Sequence, residues 1–185
     1  MKILIVTDFI PYPPTSGSKV RVFNLLKQVS RYHDVSLLAL CRPSTVENDS
    51  VAHLEAYCTH VELVMVPWRS KWQRRLWALR WVLKREPLRN AYHYFDEMAN
   101  RLSTLIETRS FDIVDIQRSY MAPYVDVIAP DCRCRRILTL YDIGYTQYRR
   151  ILSVERNFTE KIKLFYKGRL FSKRALLKYA RRFDT

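Results

Sequence analysis

Glycine is scarce: three residues in 185, at positions 17, 144 and 168. No G-x-G-x-x-G turn can be built from them, so the usual dinucleotide-binding fingerprint is excluded. Acid is scarce relative to base. Lys and Arg number 32 against 18 Asp and Glu, a formal charge of +14. That balance draws anions (nucleic acid, anionic lipid or phosphorylated small molecules) and says nothing about fold. No uncharged apolar run reaches the ~20 residues that a membrane-spanning helix needs. The opening MKILIVTDF gives way to Asp8 and prolines, too short for an export signal and suited to a buried strand. Of four cysteines only Cys132 and Cys134 are close, as C-x-C, with no second pair to complete a zinc site. The cysteines are therefore read as reduced thiols, and no bound metal is expected.

What is present is material for a core. Hydrophobic residues make up 48% and aromatics 13%, enough for one folded domain of this length and too much for disorder. Lys2–Thr7 reads as a strand covered on both faces. Further strands are expected at Val35–Leu40, Val61–Val66, Ile113–Ile116 and Arg136–Tyr141. Helices are expected at Ser18–Tyr32, Thr45–Tyr57, Trp68–Arg85 (ending before Pro87), Phe95–Arg109, Met121–Ile128 and, long and basic, about Ser153–Arg182. Strands alternating with helices predict an α/β fold: a Rossmann-like, doubly wound, mostly parallel sheet in a single domain over 1–185. Ligands of such sheets sit outside the carboxyl ends of the strands. That rule selects the loops Asp8–Ser18, Gln117–Tyr120 and Tyr141–Tyr148.

The first loop follows a strand and opens a helix. Its Gly17 therefore sits where free backbone N–H groups and the helix dipole favour an anion. Ser16 and Ser18 add hydroxyls, and Arg21 lies one turn on. Phosphate binding and a plain turn with a serine N-cap stand about even on this pattern.

The order of segments around these loops resembles glycosyltransferase family 4. The pieces are the apolar strand, Pro-Tyr-Pro-Pro-Thr-Ser-Gly17-Ser-Lys-Val-Arg21, Asn24-Leu-Leu-Lys and His33-Asp-Val-Ser-Leu-Leu. Phe111-Asp-Ile-Val-Asp-Ile-Gln-Arg-Ser-Tyr120-Met-Ala-Pro-Tyr124 resembles that family's fourth strand and its loop. Ile137-Leu-Thr-Leu-Tyr141-Asp142-Ile143 with Tyr148-Arg149-Arg150 resembles its fifth. The resemblance implies one half of a GT-B fold: the acceptor-side domain of a retaining glycosyltransferase that uses a nucleotide-sugar donor and no bound cofactor. It implies that Ser16, Gly17, Ser18 and Arg21 meet donor phosphates, where N–H groups stabilise a departing diphosphate. Arg118 and Tyr120 would line the acceptor side. Tyr141 and Asp142 would occupy the catalytic position, Tyr141 standing where the family commonly has histidine. Asp142 either orients an acceptor hydroxyl or caps a turn. The donor-binding half is expected beyond Thr185, with about 153–185 leading to it, and the 185-residue piece alone is expected to be inactive. Glu47 and Glu55 match the spacing of the family's donor-binding glutamates but are read as a solvated helix face.

The stretch from Trp68 to Arg85 is rich in tryptophan and base. At helical spacing Trp68, Trp72, Leu76, Leu79 and Leu83 share a side, expected to face the core. Trp77 and Trp81 then lie opposite, among Arg74, Arg80, Lys84 and Arg85. That outer side is expected to contact an anionic membrane at the cytoplasmic surface, with a lipid-linked or glycan acceptor nearby. Arg stacked on Trp at an ordinary surface, or contact with a further domain, remains the alternative. Nucleic-acid binding is the rival from another class, permitted by charge but lacking any recognition motif. A stand-alone binding module of the same fold, or a truncated product without activity, is a further alternative.

Overall fold

The computed structural model describes residues 1–42, 49–66, 70–83 and 88–141, together with 153–154, 157, 159 and 179–184. Its elements run β1 (Lys2–Thr7), α1 (Gly17–Val29), β2 (Asp34–Cys41), α2 (Ser50–Glu55), β3 (His60–Met65), α3 (Lys71–Leu83), α4 (Leu88–His93), α5 (Asp96–Thr108), β4 (Ile113–Gln117), a 3-10 helix (Ser119–Val127) and β5 (Arg135–Thr139). All strand pairings are parallel and the sheet order is β3-β2-β1-β4-β5. This is the expected Rossmann-like α/β sheet.

β1 is central because its residues are apolar on both sides. Ile3 and Ile5 face one layer with Val22 and Leu26 of α1 and Leu54 of α2. Leu4 and Val6 face the other, with Met98 and Leu102 of α5 and Tyr124 of the 3-10 helix. The two-residue period of a strand divides one run of sequence between two cores. The sheet expectations held to within a residue or two. Three helical expectations changed. Pro123 lies inside the segment after β4, which forms a 3-10 helix, since proline removes a donor and disfavours regular α-helix. α4 was not anticipated. The helix expected at Thr45–Tyr57 is seen as Ser50–Glu55, with 43–48 outside the described residues. Most of 153–182 also lies outside them.

α3 starts at a capping box: Ser70 Oγ accepts from the Gln73 N–H (3.3 Å) and Gln73 Oε1 accepts from the Ser70 N–H (2.9 Å). Its orientation reverses the expectation. Trp81 is 7% exposed and packs on Tyr94 with ring centroids 5.4 Å apart, while Trp72, Leu76 and Leu79 face outward. Both sides of this helix are apolar, so spacing alone could not choose the buried one. The cysteine expectation is also corrected for one pair. Cys132 and Cys134 are joined as a disulfide, their Cα atoms 5.4 Å apart, within bridging reach. Cys41 and Cys58 are free and buried. The chain returns at its far end to β5, where Asp184 Oδ2 accepts from the Arg136 N–H at 2.6 Å and the Asp184 N–H donates to the Arg136 carbonyl at 2.9 Å.

Candidate functional site

The strand order reverses between β1 and β4. The helices that follow these strands lie in opposite layers, the arrangement that in open α/β sheets sets a crevice outside the two carboxyl ends. Asp8 leaves β1 directly into it. Arg118 leaves β4 with φ 76°, a left-handed conformation that costs a non-glycine residue on the order of 1 kcal/mol. Its N–H donates to the Thr139 carbonyl of β5 at 2.8 Å, which holds the turn.

The Arg118 side chain lies in a cage. Its Nε is 3.5 Å from Asp8 Oδ1, and its guanidinium carbon is 4.8 Å from the Phe9 ring centroid and 5.4 Å from that of Tyr141. Arg118 also donates to the Tyr120 hydroxyl, which donates to Asp8 Oδ2 at 2.9 Å. His93, at the end of α4, brings Nδ1 to 3.6 Å from the same oxygen, and its ring lies on Tyr120 with centroids 4.0 Å apart. The Asp8 side chain is only 8% exposed. Burial works to lower the Arg118 pKa, but the Asp8 carboxylate and the Tyr120 hydroxyl outweigh it and hold the group above its ordinary value. Burial, then the Asp8 charge, pushes Tyr120 up to about 12 against the pull of Arg118.

A second relay runs from β5 to β4. The Tyr141 hydroxyl donates to Gln117 Oε1 at 2.6 Å, and Gln117 Nε2 donates to Asp115 Oδ2. Thr139 donates to Asp115 Oδ1 at 2.7 Å. Burial raises the Asp115 pKa; the hydrogen bonds from Thr139 and Gln117 and the charge of Arg21 oppose it. Burial likewise pushes Tyr141 up to about 12, with Arg118 and Arg21 opposing. Tyr141 is therefore a neutral hydrogen-bond donor at pH 7. The Arg21 guanidinium lies 4.9 Å from the Tyr141 ring centroid, so α1 meets the relay.

Gly17 opens α1 and Ser16 is its N-cap residue, exposed and making no side-chain cap bond. No acid occupies the first turn. A Cβ at Gly17 would meet nothing within 4 Å, and its φ is not positive. Glycine is thus not required there by the fold itself. Backbone N–H groups and a dipole end remain open to an anion.

The structure thus brings Arg21, Arg118, Tyr120 and Tyr141 together. Asp142, Lys84 and Arg85 lie outside the described residues, as do the side chains of Arg74 and Arg80. Trp77 is half-buried and Trp81 buried. Asp8, Asp115 and His93 were not singled out. The strand-end rule could have found Asp8, the first acid after the first strand. Nothing in sequence marks His93, which arrives from an unanticipated helix. Among the described residues no group of three or more His, Cys, Asp or Glu is placed to hold a metal, and no helix is long and apolar enough to cross a membrane.

No family model matches the sequence, and no curated protein does. Solved structures do. The C-terminal domain of a Pyrococcus furiosus hydrogenase aligns over 75% of this chain and 90% of that one, at 17% identity and a TM-score of 0.50. That likeness concerns the fold. Arabidopsis thaliana UGT89C1 complexed with UDP aligns over 87% of this chain, at 15% identity and a TM-score of 0.43. The glycosyltransferase of kitacinnamycin aligns over 96%, at 16% identity and a TM-score of 0.40. The chain spans about two fifths of the length of these two, 42% and 40%.

Proposed function

We propose that the chain is the acceptor-side domain of a glycosyltransferase that draws on a nucleotide sugar, retains anomeric configuration and serves a glycan or lipid-linked acceptor at the cytoplasmic face of a membrane. One observation carries this reading. The three segments that resemble glycosyltransferase family 4 are far apart in sequence, yet Arg21, Arg118 and Tyr141 meet in one crevice at the carboxyl end of the sheet. The open start of α1 suits donor phosphate at Ser16, Gly17 and Ser18. The hydroxyls of Tyr120 and Tyr141, the Asp8–Arg118 pair and the aromatic rings around it suit a polyhydroxylated acceptor, for which pockets combine apolar walls with a few fixed polar groups. Asp142 follows Tyr141 and is assigned to the acceptor hydroxyl.

The test is sugar transfer by the whole protein from radiolabelled nucleotide sugars to a lipid-linked acceptor, with the product anomer read by NMR. Tyr141→Phe and Arg118→Lys should each lower kcat/KM by about tenfold or more, as loss of one oriented polar contact does. No transfer from any nucleotide sugar, or transfer indifferent to both substitutions, would overturn the reading.

A further inference from the structure

The outward side of α3 carries an apolar stripe that the crevice does not use. Trp72, Leu76 and Leu79 are 71%, 62% and 54% exposed. At i, i+4 and i+7 they lie along one line of the helix. The capping box at Ser70 and Gln73 fixes where the helix starts, and Trp81 anchors its opposite side in the core. The stripe is therefore held outward by the burial of Trp81 against Tyr94. The sequence around it is strongly basic. From Trp68 to Arg85 the sequence holds Arg69, Lys71, Arg74, Arg75, Arg80, Lys84 and Arg85 and no Asp or Glu. Arg75 is exposed, with its guanidinium carbon 5.9 Å from the Trp72 ring centroid.

We propose that this side of α3 lies in the headgroup layer of an anionic bilayer, with Trp72, Leu76 and Leu79 entering the interface and the arginines meeting lipid phosphates. The pattern is that of a helix lying in the membrane plane: apolar side chains on one side, tryptophan at the polar boundary with exposed Arg75 beside it, and a sequence dense in arginine and lysine. Charge selects the occupant. A run of seven cations without an acid gains near an anionic surface and repels a second copy of itself. The inference deepens the membrane part of the proposed function and does not depend on sugar transfer, so either can fail alone.

The experiment mixes the chain with vesicles of phosphatidylcholine, with and without phosphatidylglycerol, and reads the bound fraction by sedimentation. Binding should require phosphatidylglycerol and weaken with salt. The variant Trp72→Ser/Leu76→Ser/Leu79→Ser should bind at least about tenfold more weakly, having lost the apolar area that enters the interface, with its circular dichroism unchanged. As a second readout, brominated lipid should quench tryptophan fluorescence in the native protein and in Trp77→Phe, and much less in Trp72→Phe. Equal binding by the triple variant, quenching indifferent to Trp72→Phe, or a native dimer that the triple variant dissolves without lipid would overturn the proposal.

Discussion

The crevice beside Asp8 and the outward side of α3 depart from ordinary surface chemistry in opposite directions. The crevice hides charge: a carboxylate 8% exposed faces a guanidinium, a phenol and an imidazole. The helix shows apolar surface: three large side chains in a line, each more than half exposed. Folding alone favours neither, because burying charge costs desolvation and exposing apolar area forfeits burial. The crevice offsets its charge within the chain: Asp8 and Arg118 face each other as an ion pair at 3.5 Å, and the Tyr120 hydroxyl donates to the other Asp8 oxygen. The helix leaves Trp72, Leu76 and Leu79 more than half exposed. A built site and a docking surface are distinguished by that difference.

The sharpest way to break the comparison is within α3. Trp81→Ala should cost about 3–5 kcal/mol, as truncation of a buried tryptophan does, whereas Trp72→Ala should change stability by no more than about 0.5 kcal/mol. Urea unfolding of both variants checks this. Equal losses would mean that the outward stripe is core after all. Next comes the crevice. Asp8→Asn should cost on the order of 3 kcal/mol, because it leaves the Arg118 charge partly buried without its counter-ion. Asp8→Asn/Arg118→Met should cost less than Asp8→Asn alone, since no unpaired charge then remains.

The sheet was legible because β1 and most of β2 are short apolar runs, the pattern of strands covered on both faces. The crevice was legible in part. Strand ends locate ligand loops, which led to Arg118, Tyr120 and Tyr141 but not to His93. The direction of α3 was not legible. Trp72, Leu76 and Leu79 make one apolar side and Trp77 and Trp81 the other, so periodicity presents two candidate cores and only packing against Tyr94 decides. The return of Asp184 to β5 depends on backbone pairing across 48 residues, for which local sequence carries no signal.

A smaller effect probes how the crevice is anchored. The buried Tyr124 hydroxyl accepts from the Phe95 N–H and donates to the His93 carbonyl, each at 2.9 Å. It ties the end of α4, and with it His93, to the 3-10 helix. Tyr124→Phe should cost about 1–2 kcal/mol, the range for losing a buried hydrogen-bonding group. It should also broaden the His93 ring resonances in NMR, which a purely apolar role for Tyr124 would leave sharp.

The smallest effect has a sign that differs between two carboxylates. Burial raises the Asp115 pKa in the fold, so the folded state holds this proton more tightly than the unfolded chain. Stability must then fall as pH rises from about 3.9, the ordinary aspartate value, through the raised one. Asp184 runs the other way. The Arg136 N–H holds its pKa low, so its contribution is present above the ordinary value and lost as pH falls through the lowered one. Asp184 is well exposed, with a side-chain exposure of 43%, and screening should keep its share below about 1 kcal/mol. Unfolding free energies measured across the acid range for Asp115→Asn and Asp184→Asn separate the two. The first substitution should remove a downward slope with rising pH, the second an upward one. The same sign in both would mean that Asp115 meets solvent, and that the relay from Tyr141 through Gln117 is open rather than closed.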